Sequence, residues 1–101
     1  MAIHFKTVRI KFDSTKGKIQ EESGTATFSQ IIKSGNVALQ GYFIEYTEAD
    51  HSLYQIEISI NNVKVEGSAI NFTVDFLLRD KSGNIDDPFD GWVDVLAIAE
   101  Y

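Results

Sequence analysis

Alternation of apolar and polar residues is the feature of this chain that most constrains its fold. In the segment AINFTVDFLLRD, at 69–80, every second position carries a large apolar residue: Ile70, Phe72, Val74, Phe76 and Leu78. The polar residues Asn71, Thr73 and Asp75 lie between them. Successive side chains of a strand point to opposite faces of a sheet, so the segment predicts a strand with one buried face and one solvated face.

Other segments are also typical of strands, and two of them are apolar on both faces. LYQIEISI, at 53–60, repeats the alternation, whereas NVALQGYFIEY, at 36–46, and WVDVLAIAEY, at 92–101, carry apolar residues at both parities. Strands that are covered on both faces have this character, which predicts central strands or subunit contacts. Gly41, inside the first of these two segments, indicates a bulge or a close backbone approach.

The first strand pattern changes phase along its length. Its apolar residues fall on two parities, with Val8, Ile10 and Phe12 on one and Ile3 and Phe5 on the other. A bulge, or a switch of the strand between two sheets, would bring both sets to the core, so we expect one of these near Thr7.

The number and spacing of these segments predict an all-β fold. Helical spacing of apolar residues is not sustained anywhere, although a short helical turn at SQIIK, 29–33, competes with a strand there. The chain has 101 residues, 44% of them hydrophobic, which suits a single core. We expect one domain, 1–101, built as a small antiparallel β-sandwich of about six to seven strands.

Charge and composition exclude several classes of partner. The formal net charge of −6 repels phosphate, which argues against nucleic acid and anionic membranes as partners. The chain has no cysteine, no apolar run long enough to span a bilayer, and no signal-peptide pattern at its start. We therefore expect a soluble protein, cytoplasmic or released without a signal peptide.

The residues that catalysis needs do not form a recognisable set. The two histidines are His4, in a strand pattern, and His51, in a turn, and no serine stands in a nucleophile elbow. Glycine-rich phosphate loops of the GxGxxG or GKS/T type are absent. The sequence predicts a protein that is not an enzyme.

The least ordinary segment is DKSGNIDDPFDGW, at 80–92, which is rich in aspartate. Oxygen-bearing side chains occupy alternate positions of the kind that wraps a calcium ion: Asp80, Ser82, Asn84 and Asp86. An EF-hand is excluded, since its sixth and twelfth positions would be glycine and glutamate but are Ile85 and Gly91 here. Two interpretations stay open: a weak calcium site, which is the one cofactor we consider, or a solvated turn.

Aromatic residues beside these aspartates suggest a ligand site. Phe89 and Trp92 either fold back onto the end of the core or provide a platform on which the apolar face of a sugar stacks. A second polar turn includes His51 next to Asp50, a histidine able to titrate near neutral pH. The predicted ligand-binding residues are Asp86, Asp87, Phe89, Asp90, Trp92, Tyr46, Asp50 and His51.

The strands from Val37 onward resemble the H-type lectin domain. The similar features are GYFIEY, ISINNVKVEG, GSAINFTVDFLLRD, the aspartate-rich loop and the closing VDVLAIAEY. Family members commonly carry a tryptophan within the closing strand, where this chain has Leu96 and Ala97, and Trp92 stands at the entrance instead. The resemblance implies a small antiparallel sandwich, assembly as trimers or multiples of them, and binding of N-acetylgalactosamine-type and other sugars. It assigns no sugar-contacting residue.

Two functions follow as hypotheses. The first is a non-catalytic ligand-binding module that binds carbohydrate and acts as a homo-oligomer, in which several weak sites act together. The second is a structural or interaction subunit of a larger assembly, with the two-sided apolar strands at 37–46 and 92–101 forming protein contacts.

Overall fold

The structure, a computed structural model, describes residues 2–15, 20–46, 53–80 and 89–101. Six strands make up most of these residues: β1 (Ile3–Thr15), β2 (Gln20–Thr27), β3 (Ser34–Tyr46), β4 (Leu53–Glu66), β5 (Ala69–Asp80) and β6 (Phe89–Glu100). No helix occurs among the described residues, and 29–33 lies between β2 and β3, so neither the helical turn nor the strand considered there is formed. The predicted all-β fold is confirmed.

The six strands form two antiparallel sheets that pack face to face. Sheet A has the order β1-β6-β3, and sheet B has the order β2-β5-β4. Among the described strands, only β4 and β5 are consecutive in the chain and adjacent in one sheet; they are joined by a turn in which Gly67 has a φ of 60°. Every other connection crosses between the sheets. The predicted antiparallel sandwich is thus confirmed, with six strands.

The core lies between the two central strands, β5 and β6. Its largest fully buried side chains come from these strands: Ile70, Phe72, Val74, Phe76, Phe89, Val93 and Val95. The rings of Phe76 and Phe89 meet across the sheets with their centroids 5.2 Å apart. Burial of each such side chain contributes about 1.5–3 kcal/mol, so this contact between the sheets provides much of the stability of the fold.

The paired strands have four register shifts among the described residues, and two of them change which side chains reach the core. In β3 the register against β6 shifts between Leu39 and Gly41, which confirms the irregularity predicted at Gly41 and turns Phe43 toward solvent. In β4 the register against β5 shifts between Asn61 and Lys64, and Asn62 has a φ of 55°. Each bulge adds a residue to one strand and thereby changes the parity of the residues that follow.

The phase change in β1 has a different origin from the one predicted. The pairing of β1 with β6 runs without a shift from Ile3 to Phe12, so the bulge or sheet switch expected near Thr7 is wrong. Ile3 and Phe5 instead lie on the outward face of sheet A, where they are 59% and 64% exposed. The second set of apolar residues therefore belongs to the surface.

Gly91 and Gly41 provide a matched test of the close approach between β3 and β6. Gly91 has a φ of 152°, and a Cβ added there would overlap the carbonyl oxygen of Phe43, whereas a Cβ on Gly41 would meet open space. We expect Gly91→Ala to destabilise the protein by about 2 kcal/mol or more, because β3 must move away. Gly41→Ala should change the free energy of unfolding by less than about 0.5 kcal/mol. Urea unfolding followed by tryptophan fluorescence measures both, and equal effects would contradict the close approach of β3 and β6.

Candidate ligand-binding surface

The structure describes only part of the predicted site. Six of the residues predicted for ligand or calcium binding lie outside the described residues: Asp50, His51, Ser82, Asn84, Asp86 and Asp87. Asp80 ends β5 and pairs with Leu53, the first residue of β4. Within the described ranges, no group of three or more metal-binding side chains comes together. The calcium site therefore stays a prediction.

The strand ends that flank the two predicted binding segments pair with one another. Tyr46, the last residue of β3, pairs with Phe89, the first residue of β6. Leu53 and Asp80 pair in the other sheet. The residues that flank 47–52 and 81–88 therefore lie together, although they are far apart in the sequence.

Phe89 belongs to the core and not to a ligand platform. Its side chain is 0% exposed, its ring packs against Phe76, and its carbonyl accepts a hydrogen bond of 3.0 Å from Nε2 of the buried Gln20. Tyr46 is half-buried and packs against the core cluster that contains Phe76 and Phe89. Of the two roles considered for Phe89, the structure supports the one in which the ring closes the end of the core.

Trp92 has the opposite environment, because it alternates with the core residues of β6. It lies on the outward face of sheet A, with Phe43 of β3 beside it in register. The guanidinium of Arg9 lies 3.9 Å from the centre of the Trp92 ring, and the ring of Phe43 stacks at 6.3 Å. We call Arg9, Trp92 and Phe43 the aromatic ridge. Arg9 covers one side of Trp92, so Phe43, at 49% exposed, is the more open of the two rings in the ridge.

Charged groups surround the aromatic ridge. Arg9 donates two parallel hydrogen bonds to Asp94, from Nε to Oδ1 at 2.9 Å and from Nη2 to Oδ2 at 3.1 Å. These bonds hold the pKa of the Asp94 carboxyl below its usual value and raise the pKa of Arg9. On the other side of Trp92, Asp90 of β6 pairs with Glu45 of β3. The ridge therefore combines an open aromatic ring with two carboxylates able to accept hydrogen bonds from hydroxyl groups.

The rest of the outward face of sheet A is more apolar. Phe5 pairs with Ile98, and Leu96 lies between Thr7 and Ala38. At the far end, a cleft of about 340 Å³ is lined by Ile3, Ser34, Gly35, Asn36, Ile98 and Glu100. We call the surface formed by Ile3, Phe5, Leu96 and Ile98 the apolar patch. Together with the ridge, it makes this face unlike that of an ordinary solvated sheet.

The outward face of sheet B is polar by comparison. Thr25 donates a hydrogen bond of 2.8 Å to the side-chain oxygen of Asn71, and Asn62 donates one of 3.1 Å to Thr73. These contacts run across β2, β5 and β4, so polar groups satisfy one another over most of this face. A polar surface of this kind is stable in water and needs no binding partner. The outward face of sheet A is therefore the stronger candidate for a binding surface.

Comparison with known proteins adds no assignment for this surface. No protein-family model, curated protein or solved structure matches the chain. The resemblance to the H-type lectin domain stays a prediction. In the described part of the chain, no helix has the length and apolar character to span a bilayer.

The ion pair between Arg9 and Asp94 predicts a pH-dependent contribution to stability. The folded-state pKa of Asp94 is lowered, so the contribution is present above its usual value of 3.8 and is lost as the pH falls through the folded-state pKa. We expect Asp94→Asn to lower the free energy of unfolding at pH 7 and to have a smaller effect at pH 3. Urea unfolding at both pH values measures this difference.

The matched control is Asp90→Asn, because Asp90 has no ion pair or side-chain hydrogen bond among the described residues. Its effect on stability should change less between the two pH values. An effect of Asp94→Asn that is the same at pH 3 and pH 7 would contradict the role of the ion pair.

Proposed function

We propose that the protein is a non-catalytic binding module whose ligand is a carbohydrate and which acts as a homo-oligomer. The observation that supports this best is the exposed ring of Phe43 beside the paired carboxylates Asp90 and Glu45. Sugars have an apolar ring face and a rim of hydroxyl groups. A surface that binds them needs an open aromatic ring with hydrogen-bond acceptors next to it, and the ridge has both.

In this proposal the aromatic ridge provides the stacking surface. The sugar ring lies on Phe43 and the adjoining edge of Trp92, while Arg9 holds Trp92 in place from the other side. Hydroxyl groups of the sugar donate hydrogen bonds to Asp90 and Glu45. The fork of hydrogen bonds to Asp94 fixes Arg9, so the ridge is preorganised and loses little side-chain entropy on binding.

Oligomerisation makes such a shallow site effective. One exposed ring and two carboxylates bind a sugar weakly, but several copies on one assembly raise the avidity by orders of magnitude when they bind together. The apolar patch lies on the same sheet as the ridge and is the surface through which the copies associate in this proposal. Trimers or multiples of trimers are the assemblies that the lectin resemblance implies.

A second candidate function is that of an interaction subunit without a small-molecule ligand. The observation that favours it is the exposure of Ile3 and Phe5, which continues the apolar character of β6 across to β1. Trp, Phe and Arg are also enriched at the centres of protein interfaces, so the ridge itself suits a protein contact. In this alternative the whole outward face of sheet A binds another copy of the chain.

A glycan array probed with labelled protein tests the carbohydrate proposal. We expect selective binding by the natural protein, and at least tenfold weaker binding by Phe43→Ala, a change of about 1.4 kcal/mol in binding free energy. Ile31→Ala is the control, because it removes an exposed apolar side chain that lies outside both the ridge and the apolar patch. The control and the natural protein are compared at concentrations at which they have the same molecular mass in solution, so that their oligomeric states are equal.

The outcomes of this experiment separate the two candidate functions. Equal glycan binding by Phe43→Ala and the natural protein would remove the ridge as the sugar site, and no binding by the natural protein would favour the interaction subunit. A repeat of the array with a calcium chelator tests the predicted calcium site independently. The aromatic ridge binds sugar without an ion, so loss of glycan binding in the chelator would indicate that calcium is required.

A further inference from the structure

One side of the sandwich closes its core and the other does not. The two sheets contact each other along both edges, with β1 beside β2 on one side and β3 beside β4 on the other. On the first side the inward-pointing residues Ile10, Phe12 and Ala26 are at most 7% exposed. Lys6 adds a link between the sheets there, because its Nζ donates a hydrogen bond of 2.9 Å to the carbonyl of Thr27. This side needs no further cover.

The opposite side, which we call the β3/β4 side, leaves apolar side chains in water. Leu39 and Tyr42 pair with the core residues Val95 and Val93 and so point inward, yet they are 45% and 50% exposed. No side chain of β3 or β4 is fully buried among those whose exposure the structure describes. The other inward-pointing apolar residues of the two strands are only partly buried: Val37, Ile44, Tyr46, Ile56, Ile58, Ile60 and Val65. The core is therefore incomplete along this side.

Charged residues do not protect β3 from contact with another molecule. This strand contains no lysine, arginine or proline, and Glu45, near its end, is its one charged residue. By contrast β1, the other edge of sheet A, carries Lys6, Arg9 and Lys11. Lysine and proline on an edge strand oppose association, so β3 lacks the usual protection. Bulges interrupt both β3 and β4, which favours a contact made by side chains over a continuous ladder of hydrogen bonds.

We propose that a second copy of the chain covers the β3/β4 side, and that each copy completes the core of the other about a two-fold axis. The protein has principal extents of 50, 18 and 17 Å, so one long side offers roughly the 800 Å² per partner that a specific interface buries. A two-fold contact brings the same stripe of apolar residues together from both copies, so each Leu39 meets apolar surface. The contact does not rest on carbohydrate binding and uses a different surface from the apolar patch.

The charges of the two strands select an axis perpendicular to the strands, so that β3 and β4 each run antiparallel to the same strand of the second copy. The two Glu45 side chains then lie about 30 Å apart, at opposite ends of the contact. Glu57, in the first half of β4, comes to lie near Lys64, in the second half of β4 of the other copy. Lys64 is accessible there, because its ion pair with Glu66 is exposed. An axis parallel to the strands would instead bring Glu45 close to Glu57 of the other copy, since both lie toward the end that 47–52 connects.

Sedimentation equilibrium of the Phe5→Asp protein tests the contact, because this substitution removes association through the apolar patch. We expect an equilibrium between monomer and dimer in that background, and a dissociation constant at least tenfold higher when Leu39→Asp is added. Ile31→Asp is the matched control, since it places the same charge at an exposed apolar position away from the β3/β4 side, and it should leave the constant unchanged. Glu57→Lys and Lys64→Glu should each raise the constant several-fold, and the two together should restore it.

Circular dichroism shows whether each variant is folded. Glu57→Lys and Lys64→Glu change exposed positions, so they keep the test valid if Leu39→Asp unfolds. A monomer in the Phe5→Asp background, a constant that a folded Leu39→Asp leaves unchanged, or a double charge variant that dimerises no better than the single variants would overturn the proposal. An assembly that Leu39→Asp weakens and Phe5→Asp leaves intact would support the β3/β4 contact while contradicting association through the apolar patch. The two proposals therefore fail separately.

Discussion

The packing of β5 against β6 is the contact on which the rest of this structure depends. Each strand is the centre of its sheet and gives one parity to the core, with Phe72 and Phe76 on one side meeting Phe89 and Val93 on the other. Since side chains alternate, the remaining parity of each central strand faces outward. That leaves two surfaces of different character, one with an aromatic ridge and an apolar patch, and the other with polar side chains that hydrogen-bond to one another.

The irregularities of the strands help to position the aromatic ridge. The bulge before Gly41 changes the parity of β3, so that Phe43 faces outward beside Trp92 and Ile44 turns toward the core. Gly91 lets β3 approach β6 closely just where these two rings meet. A regular β3 without the extra residue would direct Phe43 inward, and Trp92 would lose its aromatic neighbour. The proposed binding surface is therefore built by the same features that close the core.

Alternation alone predicted the sandwich and the core side of β5, because the other face of that strand is polar from Asn71 to Asp75. It failed in β1, since an outward-facing Phe5 produces the same pattern as a change of phase. The contacts of Trp92 with Arg9 and Phe43 depend on strand register, which a local pattern does not contain.

We propose that copies of the protein associate through the outward face of sheet A and not through that of sheet B. The chain has no cysteine, so single substitutions can report on each face: Ala38→Cys on sheet A and Ser23→Cys on sheet B, both at exposed positions. The rate of thiol alkylation would be measured over a wide range of protein concentration. We expect Ala38→Cys to react more slowly as the concentration rises, while Ser23→Cys reacts at a constant rate. Constant rates at both positions, or slowing at Ser23→Cys alone, would contradict the claim.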